Sequence, residues 1–393
     1  MHHFGALPPL SLYVHFPWCV RKCPYCDFNS HPLRGELDEA RYIDALFSDL
    51  EIDLPRVWGR TVYTIFLGGG TPSLFSPAAI ERLVAGLRAR LPLSPDAEIT
   101  LEANPGTVEL ERFRGYRAAG VNRLSIGIQS FADEKLRALG RIHGREEALA
   151  AAEAARAAGF DNFNLDLMYG LPDQTPDEAQ ADLRAALAQR PTHLSLYQLT
   201  LEPNTPFHAA PPVLPDEDLL VSMQDSLQRE LASQGFYQYE VSAYARDGHG
   251  CRHNRNYWQF GDYLGIGAGA HAKISDPQGI TRLSKRKQPR DYLSHAGTPA
   301  ALAGESRLSL QDTAFEFMLN ALRLTDGVPA SLFSERTGLA LSSVEKPMAQ
   351  ATAQGLLESS TDQIRATALG RRFMNDLIAL FLPETEHPTA AER

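Results

Sequence analysis

Three cysteines lie close together near the amino terminus, at a spacing that suits a metal or cluster site. Cys19, Cys23 and Cys26 form the pattern CxxxCxxC directly after an apolar run, and the 393-residue chain has four cysteines in all. Thiolates hold iron–sulfur clusters, and three thiolates on a four-iron cubane leave one iron open for another ligand. The alternatives are free thiols or a zinc site completed by His15 or His31. Zinc ribbons, however, typically use two CxxC motifs, and this pattern lacks the second one.

A glycine turn and several polar residues follow later apolar runs. Gly68 to Thr71 come directly after the run Tyr63 to Leu67. Glycine lets the backbone approach a ligand closely, and exposed amides can pair with an anion, although any tight turn also favours glycine. Further polar candidates for ligand contacts are Glu102, Gln129, Arg141 and Asp166. Each also suits an ordinary buried polar group, and Arg141 with Asp166 suits a structural ion pair.

The runs that carry these residues are short and rich in β-forming residues, and segments with helical spacing alternate with them. Six strands are predicted, at Leu10 to Phe16, Tyr63 to Leu67, Glu98 to Glu102, Arg123 to Ile128, Asn162 to Leu167 and His193 to Gln198. Such alternation indicates a parallel sheet. Because polar or glycine residues follow almost every strand, the α/β pattern favours a partial (β/α)6 barrel of the TIM type over a doubly wound sheet.

The chain is long enough for more than one domain. We expect a barrel over residues 1–240, an extension over 241–295 and a small helical, winged-helix-like domain over 305–385. The small residues from Ala296 to Glu305 predict a linker. Beyond it, a helical stripe is formed by Ala314, Phe317, Met318, Ala321 and Leu322.

Charge and hydropathy exclude some functions. The formal net charge is −10, and the one basic run, Lys285 to Lys287, fits a solvated loop. No nucleic-acid partner is therefore expected, because phosphate binding needs concentrated positive charge. No segment reaches the roughly 18 continuous apolar residues of a membrane span. We expect a cytoplasmic protein without a transmembrane segment, and peripheral contact with a membrane stays open.

The segment Tyr13-Val-His-Phe-Pro-Trp-Cys-Val-Arg-Lys-Cys-Pro-Tyr-Cys-Asp-Phe resembles the cluster loop of radical S-adenosylmethionine enzymes. Within that superfamily it is similar to the oxygen-independent coproporphyrinogen oxidases and the HemW-type heme chaperones, from about Leu10 through His271 and more weakly in the C-terminal domain.

That resemblance implies one 4Fe-4S cluster on Cys19, Cys23 and Cys26, with S-adenosylmethionine on the open iron and reductive cleavage to a 5'-deoxyadenosyl radical. An electron donor such as a flavodoxin or ferredoxin would supply the electron. Whether one or two S-adenosylmethionine molecules bind stays open. Positions that match the family's contacts with this cofactor are Tyr13, Tyr25, Gly69, Gly70, Thr71, Glu102, Gln129, Arg141 and Asp166.

Two features separate the branches of the family. The oxidase branch has a fourth cysteine where this sequence has Phe28, and its N-terminal extension has no counterpart before Cys19. The motif HNxxYW resembles one of the chaperone branch and consists of His253, Asn254, Tyr257 and Trp258. Imidazole is a heme ligand and aromatic rings pack against porphyrins, although these residues also suit simple loop packing.

The sequence therefore predicts a heme chaperone that binds heme and hands it to an acceptor protein. The alternative is an oxygen-independent coproporphyrinogen III oxidase, whose activity we expect to be absent. A radical enzyme that modifies RNA or protein is disfavoured by the acidic charge and by HNxxYW. The sequence leaves open the identity of the acceptor and the oligomeric state. It also leaves open whether the cofactor must be cleaved, and therefore whether the protein is an enzyme.

Overall fold

A twelve-stranded sheet forms the framework of the computed structural model, which describes residues 2–106 and 109–383. In chain order its strands are β1 (Leu10–Phe16), β2 (Val62–Gly69), β3 (Leu93–Ala103), β4 (Arg123–Gln129), β5 (Phe163–Tyr169), β6 (His193–Gln198), β7 (Tyr237–Glu240), β8 (Ala243–Ala245), β9 (Asp262–Ile266), β10 (His271–Asp276), β11 (Gly279–Lys285) and β12 (Leu302–Arg307). Their spatial order is β12-β11-β10-β9-β1-β2-β3-β4-β5-β6-β8-β7.

The strands from β9 through β1 to β6 run parallel, and the outer strands on both edges are antiparallel. All six strands predicted from the sequence are present, so the α/β assignment is confirmed. The sheet extends beyond β6 and before β1, which makes it larger than six β/α units.

Helices cover the outer face of the barrel and form much of the C-terminal region. They are α1 (Glu39–Asp53), α2 (Pro77–Arg90), α3 (Glu109–Ala119), α4 (Asp133–Ala138), α5 (Arg145–Ala157), α6 (Pro176–Ala188), α7 (Pro206–Ala209), α8 (Glu217–Ser233), α9 (Arg252–Trp258), α10 (Pro289–His295), α11 (Leu310–Ala321), α12 (Ser331–Thr337), α13 (Glu345–Ala353), α14 (Ala368–Arg372) and α15 (Met374–Ala379). None of the helices in the described ranges is long and apolar enough to cross a membrane.

Each barrel strand has an apolar face and a polar face, because successive side chains point to opposite sides of a strand. On β1, Leu12 and Val14 are buried under the helices, whereas Ser11 and Tyr13 face the other side. The same alternation on β2 to β6 gives a helix-covered apolar core and a polar lumen. The polar lumen is where a site can be built.

The segment expected to be a linker ends inside the strand β12, which pairs with β11, so its last residues belong to the sheet and that part of the expectation is wrong. Lys285 ends β11 and is buried, so the solvated loop expected for the basic run is wrong for this residue, whereas Lys287 is exposed and lies after the strand. The Lys285 ammonium group lies 2.5 Å from carboxylate oxygens of both Asp49 and Asp53 on α1. This buried ion-paired group ties the sheet extension to the barrel.

The C-terminal region has its own apolar core, built around the predicted stripe on α11. A two-stranded ribbon joins Val328–Pro329 to Gln363–Ile364, as a wing would. The ring of Phe317 packs against Phe260, with centroids 5.9 Å apart. Residues 384 and 385 of the expected domain lie outside the described residues.

Candidate functional site

The three cysteines lie in a loop that leaves the carboxyl end of β1. A two-residue strand, Trp18–Cys19, pairs with His31–Pro32 and closes the loop. All three cysteines are half-buried, and none is in a disulfide. Burial raises the pKa of the Cys19 and Cys26 thiols. Metal binding opposes this shift, because a coordinating thiol is deprotonated.

The loop fits a cluster better than a single zinc ion. Both ring nitrogens of His15 are engaged, because Nδ1 lies 3.0 Å from the Tyr13 hydroxyl and Nε2 lies 2.8 Å from the Asn29 carbonyl oxygen. Across residues 2–106 and 109–383, no three His, Cys, Asp or Glu side chains are grouped to hold one metal ion. A cubane does not require its thiolate ligands to meet at one metal ion, because they bind different irons.

The backbone of the glycine turn after β2 is used for packing. The Gly69 N–H donates to Oε2 of Glu102 at 2.9 Å. The amides of Gly70 and Thr71 each donate to a backbone carbonyl oxygen at 2.7 Å, at the end of β1 and in the cluster loop. A Cβ on Gly70 would lie 2.5 Å from the carbonyl oxygen of Trp18. These amides are therefore not exposed to an anion, contrary to the suggestion from the sequence.

Two carboxyl groups occupy the polar lumen, Glu102 on β3 and Asp166 on β5. Burial raises the pKa of Glu102 to about 8, and the charge of Asp166 acts in the same direction. Asp166 accepts hydrogen bonds from Nδ2 of Asn164 at 2.7 Å and from the Ser125 hydroxyl at 3.3 Å. Burial also raises the pKa of Asp166. Glu102 is consequently mostly protonated at neutral pH without a cationic ligand.

Arg141 connects the cluster loop to the polar lumen. Its Nη2 donates to Oδ1 of Asn104 at 2.6 Å and to the carbonyl oxygen of Gly127 at 2.7 Å. Its Nη1 lies 3.7 Å from the Sγ of Cys23. Arg141 and Asp166, both in the described part of the chain, do not form an ion pair, so the structural pair considered from the sequence is wrong.

Asn104 is a site residue that the sequence analysis missed. Its Nδ2 donates to the Thr71 hydroxyl at 2.8 Å, so the side chain links the glycine turn to Arg141. Its place directly after β3 is the signal that could have identified it. Gln129 ends β4 with a φ of 71° at an irregularity in the β4–β5 register. A positive φ in a residue other than glycine is uncommon and concentrates at functional sites.

The two tyrosines predicted to contact the cofactor pack against different aromatic rings. Tyr13 stacks on Phe66 with ring centroids 6.3 Å apart. The ring centroid of Tyr25 lies 6.4 Å from that of Phe207. Burial raises the pKa of Tyr25, which lies beside Cys23.

The helix α9 carries the HNxxYW residues, and His253 points from it towards Thr64 on β2. Oε1 of Glu98 accepts hydrogen bonds from the amides of Arg252 at 3.0 Å and His253 at 3.2 Å. Nδ1 of His253 lies 2.9 Å from the Thr64 hydroxyl, and the ring packs against Phe66 at 5.1 Å. Nε2 makes no hydrogen bond with a described residue. Burial lowers the pKa of His253 to about 3, so the imidazole is neutral.

The remaining HNxxYW residues form an aromatic wall. The rings of Tyr257 and Trp258 meet edge to face at 4.9 Å, and Tyr257 lies 5.0 Å from Tyr263. The Arg323 guanidinium lies over Trp258 at 4.3 Å. The buried indole N–H of Trp258 has no acceptor among the described residues. Asn254 lies on the same wall.

One cavity of about 1100 Å³ joins most of these groups. Its lining includes Tyr13, Cys26, Gly69, Glu102, His253, Asn254, Tyr257 and Trp258. A second cavity, of about 320 Å³, is lined by Cys23, Thr71, Asn104 and Arg141 among others. Gln129 and Asp166 line neither cavity. The cluster loop thus lies between two openings, and HNxxYW faces the larger one.

Comparisons with known proteins identify the fold of the chain. The chain matches the Radical SAM superfamily over residues 13–186 and the HemN C-terminal domain over residues 308–373. Among solved structures, coproporphyrinogen III oxidase (HemN) from Escherichia coli matches with a TM-score of 0.81 at 28% sequence identity. That match covers 95% of this chain and 90% of the other chain. The partial barrel is therefore confirmed as a radical SAM fold with a C-terminal domain.

Three relatives are named heme chaperone HemW. The protein from Escherichia coli K12 is 52% identical over 379 residues, covering 96% of this chain and 99% of the relative. The protein from Haemophilus influenzae is 49% identical over 96% of this chain, and that from Bacillus subtilis is 33% identical over 95%. Each match covers 99% of the relative. With identity at this level over nearly the whole length of both proteins, the chain belongs to the HemW family of the radical S-adenosylmethionine superfamily.

Proposed function

We propose that this protein is a heme chaperone that binds heme beside a radical S-adenosylmethionine site and passes it to an acceptor protein in the cytoplasm. The observation that carries the proposal is the shared cavity of about 1100 Å³, in which Cys26 and Glu102 lie on the same lining as His253 and Trp258. A large cavity with aromatic walls and a few polar groups is typical of a cofactor-sized ligand.

Membership of the superfamily implies a 4Fe-4S cluster and S-adenosylmethionine. Cys19, Cys23 and Cys26 would hold the cluster, since all three are half-buried in one loop and none is in a disulfide. The predicted cofactor contacts are Tyr13, Tyr25, Gly69, Gly70, Thr71, Glu102, Gln129, Arg141 and Asp166. When bound, the cluster and cofactor supply reductive radical chemistry, and a flavodoxin- or ferredoxin-type donor would provide the electron.

His253 has the properties of an axial ligand for heme iron. Its ring is neutral, Nδ1 is held by the Thr64 hydroxyl, and Nε2 is without a partner among the described residues. Histidine ligands are commonly oriented in this way, by a hydrogen bond to the other ring nitrogen. The aromatic wall of Tyr257 and Trp258 would pack against the porphyrin.

The rim of the cavity suits the two carboxylates of heme. Lys22 and Lys287 line it, and neither forms an ion pair with an acidic residue in the described part of the chain. Arg282, in contrast, is already paired with Glu316 at 3.0 Å. The two lysines are therefore the free cations that can meet the anionic edge of heme.

Heme titration of the anaerobically purified cluster protein tests this function. We expect saturable binding of heme and transfer to a heme-free acceptor protein, together with no conversion of coproporphyrinogen III when S-adenosylmethionine and reductant are supplied. We expect no conversion of coproporphyrinogen III because Phe28 stands where the oxidase branch has its fourth cysteine. Protoporphyrinogen as a product would favour the oxidase, and absence of heme binding would contradict the chaperone proposal.

The raised pKa of Glu102 predicts that S-adenosylmethionine binding releases a proton. The ligand's positive sulfonium favours the ionised carboxylate, which lowers the pKa from about 8. Affinity should therefore rise with pH up to about 8, and up to one proton should leave per ligand bound at pH 7. Calorimetry in buffers of different ionisation enthalpy measures this number. We expect Glu102→Gln to lower the number of protons released per ligand, and an unchanged proton count in that variant would contradict the assignment.

A further inference from the structure

The other face of α9 borders a separate cavity of about 620 Å³. This cavity lies at the amino-terminal ends of β1 and β2, at the opposite end of these strands from the cluster loop. Its polar lining is dominated by four arginines, Arg60, Arg252, Arg255 and Arg336. Four guanidinium groups around one cavity are unexpected in a chain whose net charge is −10.

Two of these arginines form ion pairs with acidic side chains. Arg60 lies 2.8 Å from a carboxylate oxygen of the buried Asp262, and Arg252 lies 3.2 Å from one of Asp96. Both pairs explain the position of the arginine without any ligand. We therefore assign the binding potential of this cavity to the other two arginines.

Arg255 and Arg336 form no ion pair with an acidic residue in the ranges that the structure describes. The Nη2 of Arg255 donates to the Tyr237 hydroxyl at 3.2 Å, and its guanidinium lies over the ring of Tyr239 at 4.8 Å. These contacts hold the group in place but leave its charge uncompensated. Stacking on an aromatic ring is a common way to fix an arginine that binds an anion.

Arg336, on α12, is the less satisfied of the two. Its Nε is buried and makes no hydrogen bond with a described residue. Burial lowers the pKa of Arg336, and the charges of Glu335 and Asp262 oppose this shift only in part. A buried donor without a partner is costly, so an acceptor at this position would stabilise the folded protein.

We propose that the arginine cavity binds a small organic phosphate. Guanidinium groups recognise phosphate through paired, charge-assisted hydrogen bonds, and the concave shape favours a small molecule over a protein surface. The cavity also has apolar lining from Leu7, Pro8 and the partly exposed Tyr63, which can contact the organic part. The site lies across α9 from the aromatic wall, so it is separate from the heme and S-adenosylmethionine sites.

Calorimetric titration of the cluster protein with S-adenosylmethionine in excess tests the proposal. The probes are inorganic phosphate, adenosine monophosphate and succinate. We expect adenosine monophosphate to bind more tightly than phosphate, and succinate to bind weakly. Arg336→Gln and Arg255→Gln should each weaken binding at least about tenfold, because each loses a charge-assisted contact. Arg184→Gln, on the surface of α6, is the matched control and should leave binding unchanged.

The proposal is overturned if neither phosphate probe binds at millimolar concentration, or if Arg336→Gln and Arg255→Gln both bind as the unaltered protein does. Preference for succinate would make the ligand a carboxylate instead. Arg336→Lys guards against misfolding, because it keeps the charge but loses the planar fork and should bind with intermediate affinity. Each variant should also have the same unfolding midpoint as the unaltered protein, which shows that it is folded.

Discussion

Replacement of Cys23 by alanine is expected to abolish the visible absorbance of the 4Fe-4S cluster. A cluster on three thiolates already leaves one iron without a protein ligand, so loss of another thiolate removes a third of the protein's hold on it. The Nη1 of Arg141 also lies 3.7 Å from the Sγ of Cys23. Anaerobic reconstitution followed by iron and sulfide determination and absorbance spectroscopy measures the loss.

The fourth cysteine provides the matched control. Cys251 is buried on the floor of the lumen, where its Sγ lies 3.5 Å from Oε1 of Glu98. Burial raises the pKa of Cys251 to about 12, so it is a protonated thiol and not a thiolate ligand. Cys251→Ser should therefore retain the full cluster spectrum. An intact spectrum in Cys23→Ala, or a folded Cys251→Ser protein without cluster, would contradict the assignment of ligands.

The sequence was most informative where the local pattern determines structure. Strands β1 to β6 alternate with helices and keep one apolar face, so both their positions and their parallel arrangement were predictable. An extension was predicted, but its strands β9 to β12 were not, because charged residues break their pattern. Lys273 and Lys285 are buried within it and are neutralised by acids, Asp262 for the former and Asp49 with Asp53 for the latter. Ion pairs between residues far apart in the sequence produce no periodic pattern by which the strands could be recognised.

The same limit applies within the candidate site. The cysteine spacing and the polar residues at strand ends are local features, and they led to the lumen. The need for glycine at Gly70 comes instead from the Trp18 carbonyl oxygen, which approaches from the end of the neighbouring strand. The partners of Arg141 are likewise set by tertiary structure, since Asn104 takes the place that the sequence suggested for Asp166. Types of residue were therefore predictable, but their pairings were not.

Substitution of His253 by alanine is expected to weaken heme binding by more than about a hundredfold and to change the Soret band, while the cluster spectrum stays the same. Altering a residue that only orients a metal ligand typically costs 10–100-fold in affinity, so loss of the ligand itself should cost more. The neutral ring and the unpartnered Nε2 of His253 are what an iron ligand needs. Optical titration with heme, beside the cluster spectrum of each variant, provides both measurements.

The cavity offers its own control for this prediction. His271 lines the same space, and its ring is exposed and makes no hydrogen bond with a described residue. If His253 is the ligand, His271→Ala should keep the affinity, whereas Thr64→Val should weaken binding because it frees the His253 ring to rotate. Trp258→Ala should also weaken binding through lost packing against the porphyrin. Undiminished affinity in both His253→Ala and Trp258→Ala would remove HNxxYW from the heme site, and loss of the Soret change in His271→Ala alone would transfer the ligand role to His271.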